Sequence, residues 1–218
     1  MYQPEYICIE GIDGCGKDTQ VDMLVEAWKD AGRNPLRVNE PDETLPTGKL
    51  LRQLLKSGEY PETHAPLFVA DRMALLTNKV APALAAGRPV VSSRSFVSTL
   101  VFQQENWPLD WLLHLHAKLP VKADLIFILD LDPEVALGRV GSRGGHKEVY
   151  EKLDIMKRCR QRYLDIEDTP GLLAPWMTQY GMSKVIPADG SPEEVFEQIQ
   201  EYVPSSVKGI DCDGPTIK

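Results

Sequence analysis

The ten residues "GIDGCGKDTQ", Gly11 to Gln20, constrain this chain more than any other stretch. They join a short apolar run, "YICIE" (6–10), to a segment in which Val21, Leu24, Val25 and Trp28 recur at i, i+3, i+4 and i+7. A strand entering a glycine-rich turn that opens into an amphipathic helix is the frame of a phosphate-binding loop. Gly11, Gly16 and Lys17 supply its G-x-x-x-x-G-K core. The backbone N–H groups along Gly11, Ile12, Asp13, Gly14, Cys15, Gly16, Lys17, Asp18 and Thr19 are the cradle for phosphate oxygens, aided by the positive end of the helix. Lys17 is placed to reach the phosphoryl group that moves. Asp18 stands where such a loop carries a metal-binding serine or threonine hydroxyl.

The rest of the chain alternates in the same way. "PLRVN" (35–39), "RPVVSS" (88–93), "ADLIFILDLD" (123–132) and "SKVIPA" (183–188) read as strands, and their consecutive apolar residues suit a parallel sheet covered on both faces. Between them, "THAPLFVADRMALLTNKVAPALAAG" (63–87) contains a long helix with a bend expected at Pro82. Further helices are expected over roughly 149–167 and over 191–203, the last capped by Ser191. The fold class is therefore α/β: a three-layer P-loop architecture with a central five-stranded parallel sheet, flanking helices and a flexible lid. One domain covers 1–203, the lid lies at about 139–150, and 204–218 has no periodicity and reads as a mobile tail.

Bulk properties narrow the partners. With 32 acidic against 24 basic side chains the net charge is −8, which argues against nucleic acid or an anionic membrane as the main partner. No window is apolar for long enough to span a bilayer, and the start lacks the basic region of a signal peptide. Cys8, Cys15, Cys159 and Cys212 have no metal-ligand spacing and read as reduced thiols of a cytoplasmic protein. Cys15, inside the loop, is a position at which an alkylating agent would block the site.

Four blocks in order carry a resemblance to the thymidylate kinases over roughly residues 5–203. Glu10 to Gln20 matches their E-G-x-D-G-x-G-K-S/T-T-Q except at Asp18. "NEPDET" (39–44), with Gly48 and Arg52 following, matches R-E-P-G-G-T. "PLFVADR" (66–72) matches L-F-x-A-x-R, and "SRSFVSTLVFQ" (93–103) matches D-R-Y-x-x-S-x-x-A-Y-Q. The resemblance implies transfer of the ATP γ-phosphate to dTMP, with Mg²⁺ as cofactor and a homodimer as the assembly. It implies that Phe68 stacks on the base and Arg72 bonds its edge, a flat apolar face and a rigid donor fork being what a pyrimidine needs. It further implies that Arg94 and Arg52 clamp the acceptor phosphate and that Asp13 accepts from the sugar 3′-hydroxyl. Glu40, Ser98 and Gln103 complete the acceptor site.

Between 139 and 162 eight basic side chains face three acidic ones, and glycines stand at 138, 141, 144 and 145. A charge run is usually only a solvated helix face. By the resemblance this one is a lid that brings arginines over the donor, Arg143 first and Arg139 second, which suits a reaction catalysed by positioning and charge neutralisation. Five departures from the family pattern matter. Asp18 and Ser93 look reciprocal, a hydroxyl turned carboxylate and a carboxylate turned hydroxyl, which makes Asp18 the expected metal ligand. Ser95 and Phe102 replace tyrosines, with loss of bulk at 95 expected to widen the base pocket, and Asn39 replaces an arginine. Two other readings stay open: a kinase for dUMP or a 5-modified pyrimidine deoxynucleotide, and a nucleotide-binding module without transfer.

Overall fold

The computed structural model describes residues 5–141, 150, 152–169 and 171–203. Five parallel strands form the sheet among them, in the order β2-β3-β1-β4-β5. The central strand β1 (Tyr6–Gly11) is buried along its whole length, as are all but the last residue of β4 (Ala123–Asp130) and all of β3 (Val90–Ser93). Most of their residues form the apolar runs of the sequence, and a strand covered by helix layers on both faces presents neither to water. β2 (Leu36–Asn39) and β5 (Met177–Pro187) are the edges. The expected class and the parallel five-stranded sheet stand.

α1 (Lys17–Asp30) follows β1 directly and buries Val21, Leu24, Val25 and Trp28, the stripe set by their spacing. Gly16 makes the junction, because its φ of 97° is open to a residue without Cβ. The long helix divides into α3 (Pro61–Leu75), a π-turn at Leu76–Val80 and α4 (Ala81–Ala85). The irregularity thus falls just before Pro82. Proline cannot donate to the carbonyl of Asn78 and its ring crowds that group. The ladder widens instead, Ala81 N–H bonding the Leu76 carbonyl five residues back.

Four helices escape the sequence reading: α2 (Pro46–Ser57), α5 (Phe96–Phe102), α6 (Leu109–Leu115) and α7 (Pro133–Gly141). α5 is buried at all seven positions, so it shows no polar face from which to read a period. α8 (Leu153–Glu167) and α9 (Pro192–Gln200) match expected helices with shorter limits, and Ser191 closes a capping box with Glu194. β5 begins at Met177, six residues before the expected 183. Its register on β4 slips between Ala123 and Leu125, so the polar, glycine-containing start "MTQYG" is absorbed as an irregularity at an edge. Arg143, most of the expected lid and the 204–218 tail lie outside the described residues.

Candidate active site

The carboxyl ends of β1, β2 and β3 open into one cleft of about 260 Å³, where ligands bind in open α/β sheets. From the loop after β1, Asp13, Gly14, Gly16, Lys17, Asp18 and Thr19 border it. Gly11, Ile12 and Cys15 are buried and do not border it. The Ile12 carbonyl accepts from Lys17 Nζ at 3.2 Å, which holds that side chain, 6% exposed, curled over the loop.

Opposite the loop stands Arg94, on a backbone with φ of 76°, a strained setting for a side chain bearing Cβ and one concentrated at working sites. Its guanidinium donates to Asp13 Oδ1 and Ser98 Oγ (2.9 Å) and lies 4.9 Å over the Phe102 ring. Burial works against the Asp13 carboxylate, but Arg94 and Lys17 overcome it and hold the group well below the usual range. Ser98 is placed from below. Its hydroxyl donates to Glu10 Oε2 at 2.6 Å, and that fully buried carboxylate also accepts from Ser95 Oγ and Tyr163 Oη. Ser98 therefore borders the cleft chiefly as a support for Arg94.

Glu40, Pro41 and Arg52 come from the segment after β2. Asp71 anchors that segment, accepting from Asp42 N at 2.8 Å and Thr47 Oγ1 at 2.6 Å. Gly48 lets α2 close on it, since a Cβ there would lie 2.1 Å from the Asp42 carbonyl oxygen. Arg52 donates to Glu43 at 3.0 Å. From α3, Phe68 borders the cleft as a partly buried ring packed on the core, and Arg72 lies one turn further on.

Arg72 is 2% exposed and held on every side. Its Nε donates to Glu40 Oε2 at 2.6 Å, Nη1 to Thr99 Oγ1 at 3.2 Å and His116 Nε2 at 2.7 Å, and Nη2 to the Ser95 carbonyl at 2.9 Å. Burial pushes the Glu40 carboxyl up to about 7, against the pull of Arg72, and its Oε1 has no partner.

The reciprocal departures meet in space. Ser93 Oγ donates to Asp18 Oδ1 at 2.7 Å across 75 residues of sequence, and Arg37 on β2 approaches the same oxygen at 3.7 Å. Arg37 also donates to Asn39 Oδ1 at 2.6 Å, so three of the departures join one cluster at the cleft edge.

Two expectations fail. Ser95 does not border the cleft. Its side chain turns to Glu10 and caps α5 through Val97 N, so its small size leaves the base pocket no wider. Cys15 is 2% exposed and burial raises its thiol pKa, so it is poorly placed for alkylation.

Other residues border the site that the sequence did not single out. Thr99 and Tyr150 line the cleft, Tyr150 with its hydroxyl accepting from Gln103 Nε2 at 3.0 Å and its ring edge-on to Phe102. Behind the loop a groove of about 360 Å³ runs past Gly14, Cys15, Thr19, Arg139, Gly190 and Pro192. Gln20 Nε2 closes its floor by donating to the Pro192 carbonyl at 2.8 Å. The only sequence signal for this wall is the "ADGSPEE" turn after β5, which marks a helix start and no ligand.

A phosphate cradle flanked by two separate hollows, one rich in arginine and one reaching the loop after the last strand, is the layout of a P-loop phosphotransferase acting between two nucleotides. The comparisons narrow that class. The family model described as thymidylate kinase matches residues 9–173, and the chain belongs to that family. A probable thymidylate kinase of Thermococcus kodakarensis is 34% identical over 174 residues, covering 75% of this chain and 84% of its own length. The thymidylate kinase of Rhodopirellula baltica is 34% identical over 204 residues, covering 91% and 79%. That of Xanthomonas oryzae pv. oryzae is 36% identical over 163 residues, covering 74% and 71%. The chain is thus an ATP-dependent phosphotransferase. No helix among the described residues is long and apolar enough to cross a membrane.

Proposed function

We propose that this chain phosphorylates dTMP with ATP, giving dTDP and ADP by direct in-line transfer. The observation that carries the reading is the acceptor cleft itself: Phe68, Arg72, Arg52 and Arg94 open onto the same space as Lys17. Phe68 offers a face for the pyrimidine. A base oxygen would share or replace Thr99 Oγ1, at 3.2 Å the longest of the Arg72 contacts that bridge toward the cleft. Arg94 and Arg52 take the acceptor phosphate, and Asp13, kept ionised by Arg94 and Lys17, accepts from the 3′-hydroxyl. The groove past Arg139 and Gly190 suits the adenine of the donor.

In the transfer an oxygen of the dTMP phosphate attacks the γ-phosphorus as the bond to the ADP oxygen breaks. Lys17 neutralises charge on the moving group and the lid arginines, Arg143 and Arg139, add to it. No group of three or more His, Cys, Asp or Glu forms a closed metal cage among the described residues. What the edge of the cleft offers is two adjoining oxygens, those of Asp18 and Ser93, and that donor set fits Mg²⁺, which keeps several waters and shares phosphate oxygens. Asp18 would hold the ion, directly or through water, and Ser93 would orient Asp18. When held there, the ion would supply positive charge against the donor phosphates.

The test is ADP formation with ATP, Mg²⁺ and each of dTMP, dUMP, dCMP, dGMP and dAMP. Turnover confined to dTMP is the expected result. Faster turnover with another acceptor, or ATP binding with none, overturns the reading.

A further inference from the structure

We infer that His116 is a positioning residue for the base edge: it holds the Arg72 guanidinium from the side away from the cleft, so that recognition of the acceptor depends on it. The inference rests on the reading of Arg72 as the arginine that meets the base.

His116 has no exposed surface and does not border the cleft. Its Nδ1 lies 2.7 Å from the Leu112 carbonyl, which can only accept, so Nδ1 carries the hydrogen. Its Nε2 lies 2.7 Å from Arg72 Nη1, which can only donate, so Nε2 carries the lone pair. The two partners fix one neutral tautomer. Burial first, and the neighbouring Arg72 charge second, keep the ring neutral by pushing its pKa down to about 3. The ring is itself held, tilted against Phe96 at 6.0 Å, while its backbone carbonyl accepts from Trp176 Nε1 at 2.7 Å.

Without this acceptor the guanidinium would still have Glu40, Thr99 and the Ser95 carbonyl. Glu40 and Thr99 are the partners that border the cleft, and Thr99, 3.2 Å from both Nη1 and Nη2, is the longer contact and the one a base oxygen competes with. When the base oxygen takes the place of Thr99, Glu40 and Ser95 hold only the Nε and Nη2 side of the fork, and His116 is the protein partner left on Nη1. A planar fork held at one edge tilts, and its value in recognition lies in a fixed plane. A histidine that only filled space behind Arg72 would affect stability and leave the reading of the base alone.

The experiment compares the full-length wild type with His116→Leu, which keeps bulk and removes the acceptor, and His116→Gln, which offers an amide oxygen in its place. Acceptors are dTMP and the 2′-deoxynucleotide of pyrimidin-2-one, which lacks the 4-oxygen. His116→Leu is expected to raise KM for dTMP about 10-fold, the scale of one lost hydrogen bond to a charged group. kcat and KM for ATP are expected to stay within about 3-fold, a change too small to count as a lost contact of that kind. His116→Gln should recover most of the loss. With the pyrimidin-2-one nucleotide, wild type and His116→Leu should coincide. An unchanged KM for dTMP in His116→Leu overturns the proposal, as does an equal rise for both acceptors, which marks a structural role. If the wild type itself fails to distinguish the two acceptors, Arg72 does not read the 4-oxygen, and the reading beneath the proposal falls with it. His116→Met, also apolar and of similar volume, gives the same comparison should His116→Leu not fold.

Discussion

Glu40 and His116 flank Arg72, and burial moves them in opposite directions, which sets opposed pH dependences inside one cluster. Burial raises Glu40 from 4.5 to about 7 in the folded protein. Between those values the unfolded chain has already released a proton that the folded chain keeps, so stability falls as pH rises. Burial and Arg72 lower His116 from 6.5 to about 3. Between those values the unfolded chain holds a proton that the folded chain refuses, so stability rises with pH. The two windows overlap from about pH 4.5 to 6.5, where each slope moves stability by roughly 3 kcal/mol over the interval, with opposite sign. In the wild type they cancel. Glu40→Gln leaves the histidine slope exposed, so its stability relative to wild type should climb by about 2 to 3 kcal/mol from pH 4.5 to 6.5. His116→Gln leaves the Glu40 slope exposed and should fall by a similar amount. Above about pH 7, where Glu40 is ionised, Glu40→Gln is destabilised as well, because it leaves the buried Arg72 charge unpaired. The slope is therefore the readout. Urea unfolding followed by tryptophan fluorescence across that range measures it. Differences from wild type that are flat with pH in both variants would refute the reasoning.

Asp18→Ser should lower kcat about 100-fold at saturating Mg²⁺, the scale of losing one electrostatic contact to a developing charge. Adding Ser93→Asp should restore at least about 10-fold, since the carboxylate returns to the other end of the same hydrogen bond. Full Mg²⁺-dependent turnover in the single variant sinks the exchange. Cys15 in the folded protein should react with iodoacetamide at least about 10-fold more slowly than a cysteine in a short peptide, because its thiol is buried and its pKa raised. Mass spectrometry of the loop peptide after a timed exposure measures the rate, and labelling at the peptide rate refutes the burial argument.

What could be read from the sequence was whatever local chemistry determines. The strand, loop and helix around Gly11 to Gln20 carry their own period and punctuation, and the apolar runs of the central strands admit few other folds. Phe68 and Arg72 were legible only through the resemblance carried by "PLFVADR", and both border the cleft. Contacts made at long range were not. Ser95 sits next to Arg94, yet it faces Glu10, because the strained backbone at Arg94 turns the chain and α5 then needs a cap. Nothing in "LLHLHAKLP" marks His116 as a partner of a residue 44 positions earlier. Tyr150 and the groove past Gly190 depend on where whole elements pack, which no spacing encodes.

The exchange at Asp18 and Ser93 lies between these cases. Each departure is visible alone, and alone each reads as damage: a carboxylate facing phosphates, and a metal position without its charge. Their coupling follows from the sheet. β1 and β3 pair in parallel with Ile9 opposite Ser93, so the end of β3 rises beside the loop after β1 and the first turn of α1. There the Ser93 hydroxyl can donate to the Asp18 carboxylate, and Arg37, from the strand beyond, sets a positive charge against it. A carboxylate in the first turn of a helix is also favoured by the helix dipole. On the proposed reading, the negative charge at the metal position moves across one hydrogen bond without changing in amount. An exchange calls for a hydroxyl at 93 facing the carboxylate at 18, which is the contact found, and the Asp18→Ser and Asp18→Ser, Ser93→Asp variants separate exchange from decay.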